Sequence, residues 1–176
     1  MALADGMSSR QRGMVLLISL VFLLLLSLIG LSSMQGAVAQ QKISASLWHR
    51  NQSLQTAESG LRLGEQGVRQ KGAALPQCQS IVACGPPNDA YSVVGAGASP
   101  VSSVNWVSIK GGFYGIQSLG HGMGLPHLPP QTLAALYRVT AVGISGQSRT
   151  VLETVYVRVE EESGSRFRRV SWRQLQ

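Results

Sequence analysis

Acidic residues are scarce in this chain: eight Asp and Glu stand against fifteen Lys and Arg in 176 residues, a formal charge of +7. So few carboxylates leave little from which to build a carboxylate-based active site. Other catalytic patterns are missing too. There is no G-x-S-x-G, no H-E-x-x-H and no phosphate-binding glycine loop. His49 beside Trp48 reads as a helix-surface residue rather than a base. No enzyme activity and no cofactor are expected. The excess of positive charge fits nucleic acid, a membrane surface or acidic partners. The basic residues are scattered, apart from Arg166, Arg168, Arg169 and Arg173, and no nucleic-acid motif accompanies them, so nucleic acid is not expected as a partner.

Charge is absent from residues 13–41, and proline is absent before Pro76. Within the uncharged stretch, residues 14–31 read MVLLISLVFLLLLSLIGL, with only Ser19, Ser27 and Gly30 interrupting the apolar run. As a helix this run spans about 27 Å, close to the ~30 Å hydrocarbon layer of a bilayer. A helix apolar on every face has no use in a small soluble fold. Three readings compete: a permanent single-span anchor, a secretory signal cut at Ala37-Val38-Ala39, or a leader cut before the apolar run, at Arg12-Gly13-Met14. All three share an orientation, because Arg10 and Arg12 precede the run and hold that side in the cytoplasm.

The absence of proline lets the helix continue. Ile43, Leu47, Leu54, Leu61 and Val68 recur at spacings of four and seven, one apolar stripe on an otherwise polar helix. Joined to the span, this makes one helix from about residue 14 to 69, on the order of 84 Å long. Gly60, Gly64 and Gly67 weaken its far end by roughly 1 kcal/mol each relative to alanine. They either admit a sheet backbone or mark fraying.

After residue 71 the composition changes, and all seven prolines lie there. A short strand is expected near residues 90–94, another at 104–109, and a mostly looped Gly/Pro-rich segment over 111–130 with a short strand at 113–116. The clearest β signal is a hairpin, residues 136–144 and 150–159 about Ser145-Gly146-Gln147-Ser148, followed by a short strand near 167–172. Val151, Val155, Val157 and Val159 share one face, broken by Glu153, and that face is expected to cover the helix stripe. The fold class is α+β: one long N-terminal helix on a small antiparallel sheet.

Cys78 and Cys84 are the only cysteines. Placed outside the cytoplasm, they favour a disulfide, whose closure contributes about 2–3 kcal/mol. A zinc site that adds His121 and His127 is the alternative, but its spacings fit poorly.

Two blocks, RGMVLLISLVFLLLLSLIGLSSMQG and NQSLQTAESGLRLGEQ, resemble the N-terminal region of the PilX family of type IV pilus minor pilins, and YRVTAVGISGQSRTVLETVYVRV is similar to the hairpin ending the head in that family. The resemblance implies a pilin-like fold in four parts: a prepilin leader (1–13), the transmembrane half of the helix (14–34), its amphipathic half (35–71), and a periplasmic β head with the disulfide loop (72–176). It implies that prepilin peptidase cuts between Gly13 and Met14 and methylates the new amine of Met14. Leu47, Leu54, Leu61 and Val68 are expected to pack on the sheet. The subunit would wait in the inner membrane and then join other minor pilins and the major pilin, priming assembly at the pilus tip, where a large adhesin is associated with the complex. One residue departs from the family pattern: the fifth position of the mature chain, usually Glu, is Ile18. Alternatives are a tip pseudopilin of type II secretion, a single-span membrane protein with a periplasmic binding head, or a direct adhesin that binds through residues 72–131.

Overall fold

The computed structural model describes residues 8–125, 128–161 and 164–175. Residues 1–7, part of the expected leader, and His127 of the zinc alternative fall outside them. Helix α1 runs Ser8–Lys71 without a break. The missing prolines allow this, and Arg69 and Lys71 in the last turn suit the negative end of the helix dipole. The chain divides into two compact units, Met1–Ala45 and Ser46–Gln176. Among the described residues the first is the N-terminal part of α1. The second contains the rest of α1 and everything after it.

In the second unit, short helical turns at Gly72–Ala74 and Asn88–Tyr91 flank α2 (Ile81–Cys84). Among the described residues six strands follow: β1 (Gly97–Ala98), β2 (Asn105–Ile109), β3 (Gly112–Gly122), β4 (Ala134–Ser145), β5 (Ser148–Glu161) and β6 (Gly164–Gln174). They form one antiparallel sheet in chain order. The β4–β5 connection is the two-residue loop Gly146-Gln147, with Gly146 at φ 55°, a conformation that glycine adopts without strain.

The middle of the sheet is buried on both faces. Alternate residues of a strand point to opposite sides, and β4 and β5 carry apolar side chains on each. One face packs on α1: Tyr137, Val139, Ala141, Leu152 and Tyr156 meet Ala57, Leu61 and Val68. The other is covered by loops. Val142 and Val151 pack with Ala90, Val93, Val104 and Trp106, while Val157 and Val159 pack with Ala134, Leu125 and Leu128.

Three expectations fail here. The odd-numbered valines of β5 share a face, but it is the loop-covered face; the helix meets Leu152 and Tyr156 instead. Residues 90–94 form no strand. The 3₁₀ turn at Asn88–Tyr91 buries Ala90 and Val93, three apart, under Arg149, which donates to both carbonyls. Finally, β3 extends over eleven residues where a short strand was expected.

Candidate functional site

The cleavage junction expected from sequence lies within α1. Gly13 has open space around it, and Met14 is exposed. From residue 14 to 31 every side chain is exposed, Ile18 included, although fifteen of the eighteen are apolar. The helix is long and apolar enough to cross a membrane. An apolar surface on all sides of one helix is stable only in lipid or among other apolar helices.

Where α1 meets the sheet, the seam is built from small residues. A Cβ at Gly60 would lie 3.0 Å from Ala141 Cβ, one at Gly64 2.3 Å from Val139 Cγ1, and one at Gly67 2.9 Å from Ile116 Cδ1. From the sheet side, a Cβ at Gly143 would lie 1.9 Å from the Ser53 carbonyl oxygen. Helix and sheet backbones therefore approach more closely than any larger side chain permits. Two cross-links fix the register: the hydroxyls of Ser53 and Thr150 share a buried hydrogen bond of 2.8 Å, and His49 Nδ1 lies 3.0 Å from Ser145 Oγ on the β4–β5 turn.

Of the four residues expected on this seam, Leu61 and Val68 are buried, and Leu54 is partly buried against the same cluster. Leu47 is not on it: it is 53% exposed, as Ile43 is 60%. The reason is reach. The β4–β5 turn meets the helix at His49, through Ser145, and Leu47 lies beyond that contact.

A polar cluster closes the seam further along. Tyr156 donates to Glu65 Oε2 (2.9 Å) and accepts from Arg169, while Glu65 pairs with Arg69 (2.9 Å) and Arg169 (3.5 Å). Burial opposes ionisation of Glu65. The hydrogen bonds from Arg69 and Tyr156 and the charges of both arginines outweigh it, holding the carboxyl below its usual range. Burial and the neighbouring Glu65 push the Tyr156 phenol up, against the lowering hydrogen bond from Arg169.

On the opposite face a second ionic group sits under the cysteine loop. Cys78 and Cys84 are joined in a disulfide. Ser80 caps α2 by accepting from Ala83 N (3.0 Å). Gln117 of β3 donates to the carbonyls of Ala83 (2.6 Å) and Gly85 (3.2 Å), and Arg138 of β4 donates to that of Cys84. Arg138 also pairs with the buried Glu153 at 3.2 Å, and Arg173 of β6 joins Glu153 at 2.8 Å. A buried carboxylate is tolerable when paired and hydrogen-bonded. Sequence reading singled out neither Gln117 nor Arg138. The available signal was Glu153, a charge that interrupts the valine face in the middle of β5 and, once buried, requires a cation on a neighbouring strand.

Among the described residues no group of His, Cys, Asp and Glu is arranged to hold a metal. The zinc alternative loses both cysteine ligands to the disulfide. Residues 12–62 match the family model of the PilX N-terminal region. No curated protein and no solved structure matches the chain.

Proposed function

We propose, from the match of residues 12–62 to the PilX N-terminal region, that the chain is a minor pilin that helps to initiate type IV pilus assembly and sits at or near the tip. The observation that carries the reading is the extent of the match. Residues 12–62 include the Gly13–Met14 junction, the apolar run and the first residues of the helix–sheet seam. A long apolar helix with a compact α+β head fits a membrane-anchored pilin. In this reading prepilin peptidase cuts after Gly13 and methylates Met14. The head stands in the periplasm, and the partners are other minor pilins, the major pilin and a large tip adhesin.

The tip assignment rests on Ile18. A carboxylate at that position is buried among apolar helices in a filament and needs the N-terminal ammonium of the subunit assembled before it. Unpaired, it costs several kcal/mol. The first subunit has no predecessor, and an aliphatic side chain removes the cost.

Intact-mass analysis of the protein from cells with active prepilin peptidase tests the pilin reading: the expected chain begins at N-methylated Met14, and retention of residues 1–13 refutes it. Immunogold labelling of sheared pili with antibody to the head tests the position. Labels at filament ends are expected, whereas even labelling along the shafts refutes the tip assignment alone.

A further inference from the structure

The two edges of the sheet are unlike. At one edge β1 has two residues and β2 five. At the other, β6 has eleven, and among the described residues no strand pairs with its second side. Strands usually run to five or six residues, and proteins keep free edges short because a bare edge is a template for another chain. β6 is long, contains no proline, and leaves a row of backbone groups facing outward. The phase of that row is fixed. Leu175 N donates to Val151 O (2.9 Å), and Ser171 O accepts from the Thr154 hydroxyl (2.7 Å). By the alternation of an antiparallel ladder, Ser171 and Arg173 turn their backbone groups toward β5, and Trp172 and Gln174 turn theirs outward.

The chemistry of the strand restricts what can pair there. Its sequence, GSRFRRVSWRQ, has four arginines and no acidic residue. Arg169 and Arg173 are each shared with a carboxylate that already has a second arginine, so the Glu65 and Glu153 groups each carry one surplus positive charge. The Arg166 side chain is 73% exposed, and those of Arg169 and Arg173 are about half exposed. A second copy of β6 laid along the first would set arginine against arginine, which destabilises a strand pair. Val170 is the extra residue between the Ser171–Val155 and Arg169–Tyr156 pairs, a bulge that bends the edge.

We propose that the free edge of β6 is a docking site for an extended acidic segment of another polypeptide, which adds a seventh strand to the sheet. Main-chain hydrogen bonds supply the affinity and the arginines the selection, the division of labour in β-strand addition. The inference rests on the sheet alone and is independent of the pilus reading.

The test uses the full chain in detergent micelles and three ten-residue peptides: alternating Glu and Thr, alternating Lys and Thr, and the Glu/Thr peptide N-methylated at alternate residues along its pairing edge. The readout is amide hydrogen exchange at Trp172 and Gln174. The Glu/Thr peptide is expected to slow exchange at both by at least about tenfold, with an effect that weakens as salt rises. The other two are expected to leave it unchanged. No slowing by the Glu/Thr peptide, or equal slowing by the Lys/Thr peptide, overturns the proposal. Equal slowing by the N-methylated peptide overturns it too, because carboxylates would then bind the arginines without strand pairing. None of these results bears on leader cleavage, which tests the pilus reading separately.

Discussion

Replacing Gly64 with alanine sets two effects of opposite sign against each other. In an exposed helix the change stabilises by about 1 kcal/mol, because glycine has more backbone freedom to lose. At Gly64 the added methyl would lie 2.3 Å from Val139 Cγ1 and 3.4 Å from Tyr114 Cδ2. Ordinary carbon–carbon contact is about 3.5–4.0 Å, so Val139 must retreat on the order of 1 Å. It has nowhere to go: it is fully buried, in the middle of β4, with strands on both sides. Overpacking of this kind costs roughly 1–3 kcal/mol, and the rigid surroundings argue for the upper end. The expected balance is a net loss of about 1–2 kcal/mol. Urea unfolding of the full chain in detergent, followed by tryptophan fluorescence, measures it, since Trp106 is buried in the head. The double-mutant cycle with Val139→Ala isolates the contact: Gly64→Ala should cost least, or even stabilise, where the valine methyls are gone. A Gly64→Ala protein more stable than the parent, or strict additivity in the cycle, would refute the close-packed seam. Gly36→Ala, with open space around it, is the control for propensity alone.

Two further outcomes follow from the same region. Leu61→Ala is expected to cost ~2–5 kcal/mol and Leu47→Ala under about 0.5, because one is buried on the sheet and the other exposed; equal costs in urea unfolding would contradict this division of the stripe. Glu65 has a depressed folded-state pKa, so its stabilisation is complete above the unfolded value, near 4.5, and fades as pH falls through the lower folded value. Midpoint unfolding temperatures recorded from pH 7 to 3 should therefore fall less steeply for Glu65→Gln than for the parent, with the two curves converging at the acid end; parallel curves count against the Glu65–Tyr156–Arg169 cluster.

How legible each element was in the sequence depended on how many of its faces are covered. The apolar run and the proline-free helix after it could be read directly, since one pattern fits them. The β4–β5 hairpin was legible from its turn and its apolar strands, but not which face met the helix. β5 is buried on both sides, so its valines and its Leu152–Tyr156 row were equivalent candidates. β3 looked like loop because of its glycines. In the structure Gly112 and Gly115 are strand residues whose Cβ would strike Val142 O at 2.1 Å and Val104 Cγ1 at 2.2 Å. They mark crowding, which local sequence does not distinguish from a turn. The ionic support of the cysteine loop was invisible for a different reason: Gln117, Arg138 and Glu153 meet only through strand register.

The small-residue seam also affects the order of events during synthesis. Ser53 and its partner Thr150 are 97 residues apart. At roughly 5–20 residues per second, the helix face waits on the order of 5–20 s before its sheet exists. A face of leucine and isoleucine left bare for so long would invite wrong partners. Along the seam this one offers Ser53, Thr56, Ala57, Gly60 and Gly64 between three larger aliphatics, Leu54, Leu61 and Val68. With small residues between those few aliphatics, the helix presents less apolar surface to wrong partners while the matching strands are made, and close backbone approach then supplies much of the contact.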